Sequence, residues 1–292
     1  MKKTIKLITV LLAMFFISQN AFSKTTTDTT LVRVKTIQGN EFIGTIITED
    51  SEVLVLKTEA FGELRILKKD ITLLKPIDPA RMIEDVYWTE NPQATRYFWT
   101  PNGYGLKKGE GYYQNIWVLY NQVSYGLSSY FSISAGIIPT FLFRAEISPV
   151  WLVPKFSLPI KPDKFNLSAG AFMGTFIGED SYGFGILFTT ATFGSRDNNA
   201  NIGLGYGYGE GEWASSPILN LSYMIRTGPK GYFITENYFY FGQDVSLVLL
   251  SFGGRRMLKN VGLDFAAYLP FANDSDLIII PFLGITIPFG DY

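Results

Sequence analysis

From about Trp117 onward the chain alternates apolar and small polar residues in segments of about ten, separated by turn residues, and no apolar run approaches the roughly 18 residues of a membrane helix. Four segments carry the pattern cleanly. Phe131, Ile133, Ala135 and Ile137 oppose Ser132, Ser134 and Gly136; Ile202, Leu204, Tyr206 and Tyr208 oppose Gly203, Gly205, Gly207 and Gly209. Leu219, Leu221, Tyr223 and Ile225 oppose Asn220, Ser222 and Arg226; Val261, Leu263, Phe265, Ala267 and Leu269 oppose Gly262, Asp264, Ala266 and Tyr268. A period of two places each set on one face of a pleated strand. Segments near 151–160, 165–177, 182–194, 231–242, 244–255 and 277–289 follow the pattern more loosely.

The polar face decides what the apolar face meets. A soluble sandwich turns Lys, Glu, Asp and Arg outward, whereas here the second face is mostly Gly, Ser, Asn and Thr. Charged residues make up only 17% of the chain, against roughly 25% in soluble domains. Small side chains suit the cramped inside of a narrow barrel and apolar ones suit lipid, so the expected fold is an antiparallel transmembrane β-barrel. Closure is required, because an open edge in lipid leaves backbone groups unpaired. About eleven candidate strands are visible. Bacterial barrels usually have an even number, so twelve is expected, with Arg96 to Leu106 supplying another strand, and ten as the alternative. Trp117, Tyr125, Tyr130, Trp151, Trp213, Tyr232 and Tyr240, near strand ends, fit interfacial girdles. Leu283, Ile285, Ile287 and Phe289 alternate before Gly290-Asp291-Tyr292, which resembles the terminal signal read by the barrel-assembly machinery, although Tyr292 is out of phase.

The N-terminal part reads differently. Lys2, Lys3 and Lys6, the apolar run Leu7 to Ile17 and Ala21-Phe22-Ser23 form an export signal over 1–23, with cleavage after Ser23. Residues 24–30 are a polar, disordered lead-in. Residues 31–77 read as about five short strands broken by Gln38-Gly39-Asn40, Glu49-Asp50-Ser51 and Phe61-Gly62. This segment resembles an SH3-like or Sm-like small barrel, the Sm-like likeness resting on Gly39, Phe42, Gly44 and Asp50. Its acidic residues and its lack of an aromatic-plus-basic platform argue against RNA. Residues 78–95 are expected to be a linker with a short helix, Asp78 capping Pro79 and Arg81 to Tyr87 following, and 96–292 the barrel.

Cysteine and histidine are both absent. Without cysteine there are no disulfides, thiolate nucleophiles or zinc–thiolate sites, and no acylated anchor is expected. Without an imidazole the Ser-His-Asp and Cys-His mechanisms and the common transition-metal sites are unavailable. The net charge of -1 supplies no field for nucleic acid. No cofactor or metal is expected, and the expected partners are outer-membrane lipid and lipopolysaccharide, the barrel-assembly machinery and other outer-membrane proteins.

The stretch Asn91-Pro92-Gln93-Ala94-Thr95-Arg96-Tyr97-Phe98-Trp99, continuing through Leu106-Lys107-Lys108-Gly109-Glu110-Gly111-Tyr112-Tyr113, resembles a family of uncharacterised exported proteins of Bacteroidetes read as outer-membrane barrels. The resemblance covers most of the chain after residue 30. It implies location and fold, with the small domain in the periplasm, and no activity.

Candidate functional residues are few. Arg226, Glu236 and Asp264 are candidates for lumen-facing charges. Lys107 and Lys108, Arg255 and Arg256, with Lys259, could meet headgroup phosphates, the alternative being solvated turns and strand ends. The Gly203–Gly211 series has a spacing of two and reads as strand, not as a nucleotide fingerprint. The expected role is non-enzymatic, a structural or accessory component of an outer-membrane assembly. A narrow channel or transporter for small or apolar solutes is the alternative, and a His-free barrel enzyme the remote one.

Overall fold

A computed structural model describes residues 30–84, 86–143, 147–178, 182–243, 246–272 and 278–290. The proposed export signal, the lead-in through residue 29, the turns at Glu179-Asp180-Ser181 and Asn273 to Asp276, and the terminal Asp291-Tyr292 lie outside the described residues. The chain divides into two compact units after residue 85.

The first unit is a five-stranded antiparallel sheet in the order β4-β3-β2-β1-β5. Its strands are β1 (Leu31–Thr36), β2 (Glu41–Glu49), β3 (Val53–Thr58), β4 (Gly62–Leu67) and β5 (Ile71–Pro76). Alternate residues Val32 and Val34 of β1, Leu54 and Leu56 of β3 and Ile66 of β4 form its buried core. Gly44 lies where a side chain would collide with the carbonyl of Lys57 in β3, so this crossing requires glycine. Asp50 holds the β2–β3 turn by accepting from the amides of Glu52 and Val53, each at 2.7 Å. The helix expected after Asp78 is a single 3-10 turn, Pro79–Arg81, with Asp78 accepting from the Ala80 amide at 2.9 Å. Two-residue strands β6 (Met82–Ile83) and β7 (Val86–Tyr87) follow.

The second unit is a closed antiparallel barrel of twelve strands, as the alternation implied. They are β8 (Glu110–Ile116), β9 (Tyr120–Gly126), β10 (Phe131–Ile137), β11 (Ser148–Lys161), β12 (Phe165–Ile177), β13 (Gly183–Gly194) and β14 (Asn199–Gly209); a two-residue β15 (Glu212–Trp213) folds back on β14; then β16 (Ile218–Gly228), β17 (Gly231–Phe241), β18 (Ser246–Leu258), β19 (Val261–Ala272) and β20 (Ile280–Gly290). Neighbours in sequence pair around the wall, and β20 closes on β8 from Gly284↔Ile116 to Gly290↔Glu110. The twelfth strand is therefore Glu110–Ile116, not Arg96 to Leu106. Sequence alternation misses β8 because Tyr112, Gln114 and Ile116 on one face and Tyr113 and Asn115 on the other are equally mixed in polarity.

The outward face is apolar along the barrel, with Phe156, Leu187, Ile202, Phe252, Phe265 and Leu283 among its exposed side chains. Many inward positions are small or polar, including Ser124, Ser132, Asn166, Ser168, Thr190, Asn201, Asn220 and Ser222, while Met224, Ile234, Met257, Tyr268 and Phe282 form an apolar cluster with Tyr97 and Phe98. Four expected girdle residues, Trp117, Tyr125, Tyr130 and Trp213, are exposed, whereas Trp151 and Tyr232 fall on inward positions and are buried. One end of the barrel has tight connections at 127–130, 162–164, 195–198, 229–230 and 259–260; the other has short ones at 117–119 and 242–245 and the longer ones at 138–147, 178–182, 210–217 and 273–279.

Candidate functional site

The barrel interior is not empty. Residues 91–106 enter from the short-turn end, form a hairpin, and return to Lys107 at the start of β8. The hairpin is built by backbone bonds, Tyr97 amide to Thr100 carbonyl and Asn102 amide to Thr95 carbonyl, each 3.0 Å, and by the bridge Arg96↔Pro101. Asn91, Gln93, Ala94, Thr95, Arg96, Tyr97, Phe98, Asn102, Tyr104 and Leu106 are all buried. The last five residues of the expected linker, 91–95, and the expected extra strand are thus one internal plug. A free loop in this place would leave buried amides and carbonyls unpaired, and the inward polar residues exist to satisfy them.

Two carboxylates organise the plug. Asp264 on β19 faces Arg255 on β18 directly in register. Its Oδ1 accepts from Arg255 Nε at 2.5 Å, and its Oδ2 from Arg255 Nη2 at 3.1 Å and from Arg96 Nη1 of the plug at 3.0 Å. Arg255 also donates to the carbonyls of Gln93 (3.1 Å) and Tyr97 (2.6 Å). Arg96 reaches the carbonyls of Tyr97 (2.7 Å) and Phe98 (2.9 Å), Gln93 Oε1 and the Thr286 hydroxyl. This planar, multidentate pairing is what guanidinium geometry supplies and an ammonium does not. Gly262, one turn of the pleat from Asp264, has no room for a side chain because the amide of Gln93 lies against it.

Glu236 on β17 is fully buried and caps the hairpin tip. Its Oε2 accepts from three successive amides, Phe98 at 2.6 Å, Trp99 at 3.0 Å and Thr100 at 3.3 Å, and its Oε1 accepts from the hydroxyl of Tyr238. Successive amides converging on one oxygen form an anion nest, here filled by the protein's own carboxylate. The ladder between β17 and β18 is broken opposite this residue, between Ile234↔Gly253 and Tyr238↔Leu249. Side chains bridge the break: the Ser251 hydroxyl accepts from the Glu236 amide and donates to its carbonyl, both at 2.8 Å, and Asn237 Oδ1 accepts from the Ser251 amide at 2.9 Å.

At the short-turn end Arg226 clamps the incoming chain. Its guanidinium donates to the Thr89 carbonyl at 2.8 Å and the Pro229 carbonyl at 2.7 Å, pairs with Asp197 at 3.1 Å and lies over the Trp88 ring at 4.9 Å. On the other side Lys155 of β11 donates to the carbonyls of Tyr104 at 2.7 Å and Thr95 at 3.4 Å. Ser168 donates to the Asn102 carbonyl at 3.1 Å, and Thr192 accepts from the Gly103 amide at 2.7 Å.

Arg226, Glu236 and Asp264 accordingly all lie inside, at separate levels of the lumen. Arg255 does not meet headgroups: it is buried at 1% exposure against Asp264, because it shares the inward phase of Ser251 and Gly253. Arg256, one residue on, is exposed, as are Lys107 and Lys108; Lys107 pairs with Glu90 at 3.3 Å and Glu110 at 3.6 Å. Sequence reading missed Arg96 and Lys155 as interior charges. The signal for Arg255 was available: the two-residue Lys259-Asn260 turn pairs Leu258 with Val261, and so Arg255 with Asp264.

Beyond the plug tip the lumen changes character. A cavity of about 340 Å³ has Trp99, Tyr120, Val153, Phe172, Phe188 and Ile218 in its wall, with Arg96 and Lys155 also lining it. A second, of about 350 Å³, is bounded by Trp99, Trp117, Tyr238, Leu249, Tyr268 and Ile280. Among the described residues no cluster of carboxylates could hold a metal.

No protein-family model matches the chain, and no curated protein matches it either.

Proposed function

We propose that the protein is an outer-membrane β-barrel sealed by its own chain, serving as a non-enzymatic structural or accessory component of that membrane rather than as a diffusion pore. The internal plug carries this reading. A closed wall that is apolar outside and polar inside is the inverse of a soluble barrel, and strands of 11 to 14 residues over β11–β14 and β16–β20 meet the roughly 9–11 needed to cross hydrocarbon. The lumen that such a barrel could use for conduction is blocked over its short-turn half by residues 91–106. Glu236 and Asp264, the carboxylates a lumenal enzyme would draw on, are consumed by plug contacts. Short connections are the periplasmic side of such barrels. The chain enters at that side, so the N-terminal unit belongs to the periplasm. The resemblance of residues 91–113 to exported Bacteroidetes barrels agrees with this location.

The alternative of a carrier for apolar solutes draws on a separate observation, the aromatic cavities beyond the plug tip. The test of the main reading is electrophoretic mobility of the outer-membrane fraction with and without boiling, followed by conductance in planar bilayers. A faster unboiled band and no steady conductance are expected. A soluble periplasmic protein with no heat-dependent shift would overturn the location, and a steady open conductance would overturn the sealed lumen.

A further inference from the structure

The long-loop half of the lumen is built unlike the half that holds the plug. Around the plug, Ser, Thr, Asn and charged groups share the inward face with Met224, Tyr232, Ile234 and Met257, which pack on Tyr97 and Phe98 and leave no open space there. Beyond the tip the inward residues become Tyr120, Trp151, Phe172, Ile186, Phe188 and Ile218. A barrel that only had to be filled would continue with packed side chains, yet here a cavity of about 340 Å³ remains, within the roughly 300–1,000 Å³ of ligand pockets.

Two buried cations line that cavity. Lys155 is 6% exposed and donates only to backbone carbonyls; among the described residues no carboxylate pairs with it. Arg96 is 2% exposed and shares Asp264 with a second guanidinium, and its Nε has no hydrogen-bond partner. A buried ammonium without a counter-ion is costly unless something supplies one. The polar end of the cavity, where Ser124, Ser132 and Thr190 join these two side chains, therefore lacks a negative charge, while Tyr120, Phe172, Ile186, Phe188 and Ile218 give it an apolar side.

The wall beside the cavity is also low. Strands β8, β9 and β10 have seven residues each, short of the roughly 9–11 that cross hydrocarbon. Past Ile116 the edge of β20 has no strand beside it, and Trp117 takes the strand's place, donating its amide to the Leu283 carbonyl at 3.1 Å and its indole N–H to the Pro281 carbonyl at 2.7 Å. The carbonyls of Val118, Leu119 and Tyr120 in the turn accept from the side-chain amides of Asn115 and Asn121, at 2.9, 2.6 and 3.3 Å. Satisfying turn carbonyls from neighbouring side chains is what a turn at hydrocarbon depth requires. Its own side chains, Trp117, Val118 and Leu119, are exposed and apolar.

We propose that this half-lumen binds an anionic single-chain amphiphile, a long-chain carboxylate, with its chain along Tyr120, Val153, Phe172, Ile186, Phe188 and Ile218 and its head at Lys155, reached from the bilayer over the low β8–β10 wall. The site rests on the chemistry of the lumen alone; the route rests on the barrel spanning the outer membrane.

The full-length protein in nanodiscs of zwitterionic lipid tests it, with radiolabelled palmitate, its methyl ester and the matching alkyl trimethylammonium as probes in equilibrium dialysis. Palmitate is expected to bind saturably and at least about tenfold more tightly than the ester, with no saturable binding of the cation. Lys155→Gln should bring acid and ester together, and Ile186→Trp, which fills the cavity and leaves the plug contacts alone, should abolish binding of both. Heat-dependent gel mobility shows in parallel that each variant remains a folded barrel and that the membrane assignment stands, separately from the binding result. Equal binding of acid and ester to the wild type, no saturable binding, or undiminished binding by a folded Ile186→Trp protein would each overturn the proposal.

Discussion

Replacing Asp264 by alanine removes the carboxylate that Arg96 and Arg255 share, leaving two buried guanidiniums side by side. Deleting one partner of a buried ion pair costs about 3–5 kcal/mol, since the survivor keeps its desolvation penalty and loses its counter-charge. Three charge-assisted bonds go at once: Arg255 Nε and Nη2 and Arg96 Nη1 to the carboxylate. Both guanidiniums keep bonds to plug carbonyls, Arg255 to Gln93 and Tyr97, Arg96 to Tyr97 and Phe98. Those remaining partners place the expected cost near the lower end, about 3 kcal/mol, or about two orders of magnitude in the equilibrium between a seated and a displaced plug. The chain has no cysteine, so a single Thr95→Cys reports on seating by its rate of modification with a water-soluble maleimide. Addition of Asp264→Ala should raise that rate about a hundredfold and lower the urea midpoint of unfolding in lipid vesicles. Adding Arg255→Met should recover more than about 1 kcal/mol by removing the repulsion between the stranded cations. Unchanged labelling and an unchanged midpoint in Asp264→Ala would refute the idea that this triad holds the plug.

Three further outcomes are expected. Glu236→Gln keeps the shape of the cap but replaces charge-assisted bonds from Phe98, Trp99 and Thr100 by neutral ones, at a cost of about 1–3 kcal/mol, seen as greater accessibility of Trp99 to an aqueous quencher. Phe252→Lys, at an exposed position midway along β18, should destabilise the vesicle-inserted barrel by about 2–4 kcal/mol in urea titrations, and a change near zero would put that face in water. In the first unit, the amides of Val53 and Glu52 hold the Asp50 carboxyl below its usual range. A depressed acid contributes stability above its unfolded value and loses it as pH falls through the folded one, so the protection factors of the amides in the 50–53 turn, taken against the intrinsic exchange rate at each pH, should fall on acidification. Asp50→Asn should remove that acid-dependent step.

Strand phase was legible in the sequence wherever one face was apolar and the other small. Ile202 to Gly209 and Val261 to Leu269 declare themselves because lipid and a narrow lumen demand opposite chemistry on alternate residues. It failed at β8, where Tyr112 and Gln114 meet the plug and Tyr113 and Asn115 bond to the Asn121 side chain on β9, so neither face is uniform. Arg226 and Asp264 were visible as interior candidates because each interrupts the small-residue face of an alternating strand, whereas Glu236 stood out as a lone charge in the loosely alternating β17, among Tyr232, Ile234 and Tyr238. Arg255 was misplaced because the pair Arg255-Arg256 reads as a basic patch, while a pleat sends the two side chains to opposite sides.

What the sequence by itself determined is therefore the kind of wall: antiparallel, closed, apolar outward, without imidazole or thiol chemistry. These properties are local, set by residues two apart and by composition. What only the tertiary structure decided is the content of that wall. Residues 91–106 have no periodicity that marks them as internal, and their meaning lies in partners far away in sequence, Arg96 with Asp264 and the tip amides with Glu236. Closing the barrel brings those groups together in a buried space, where each unpaired amide or charge is costly and the plug and the inward polar residues satisfy one another.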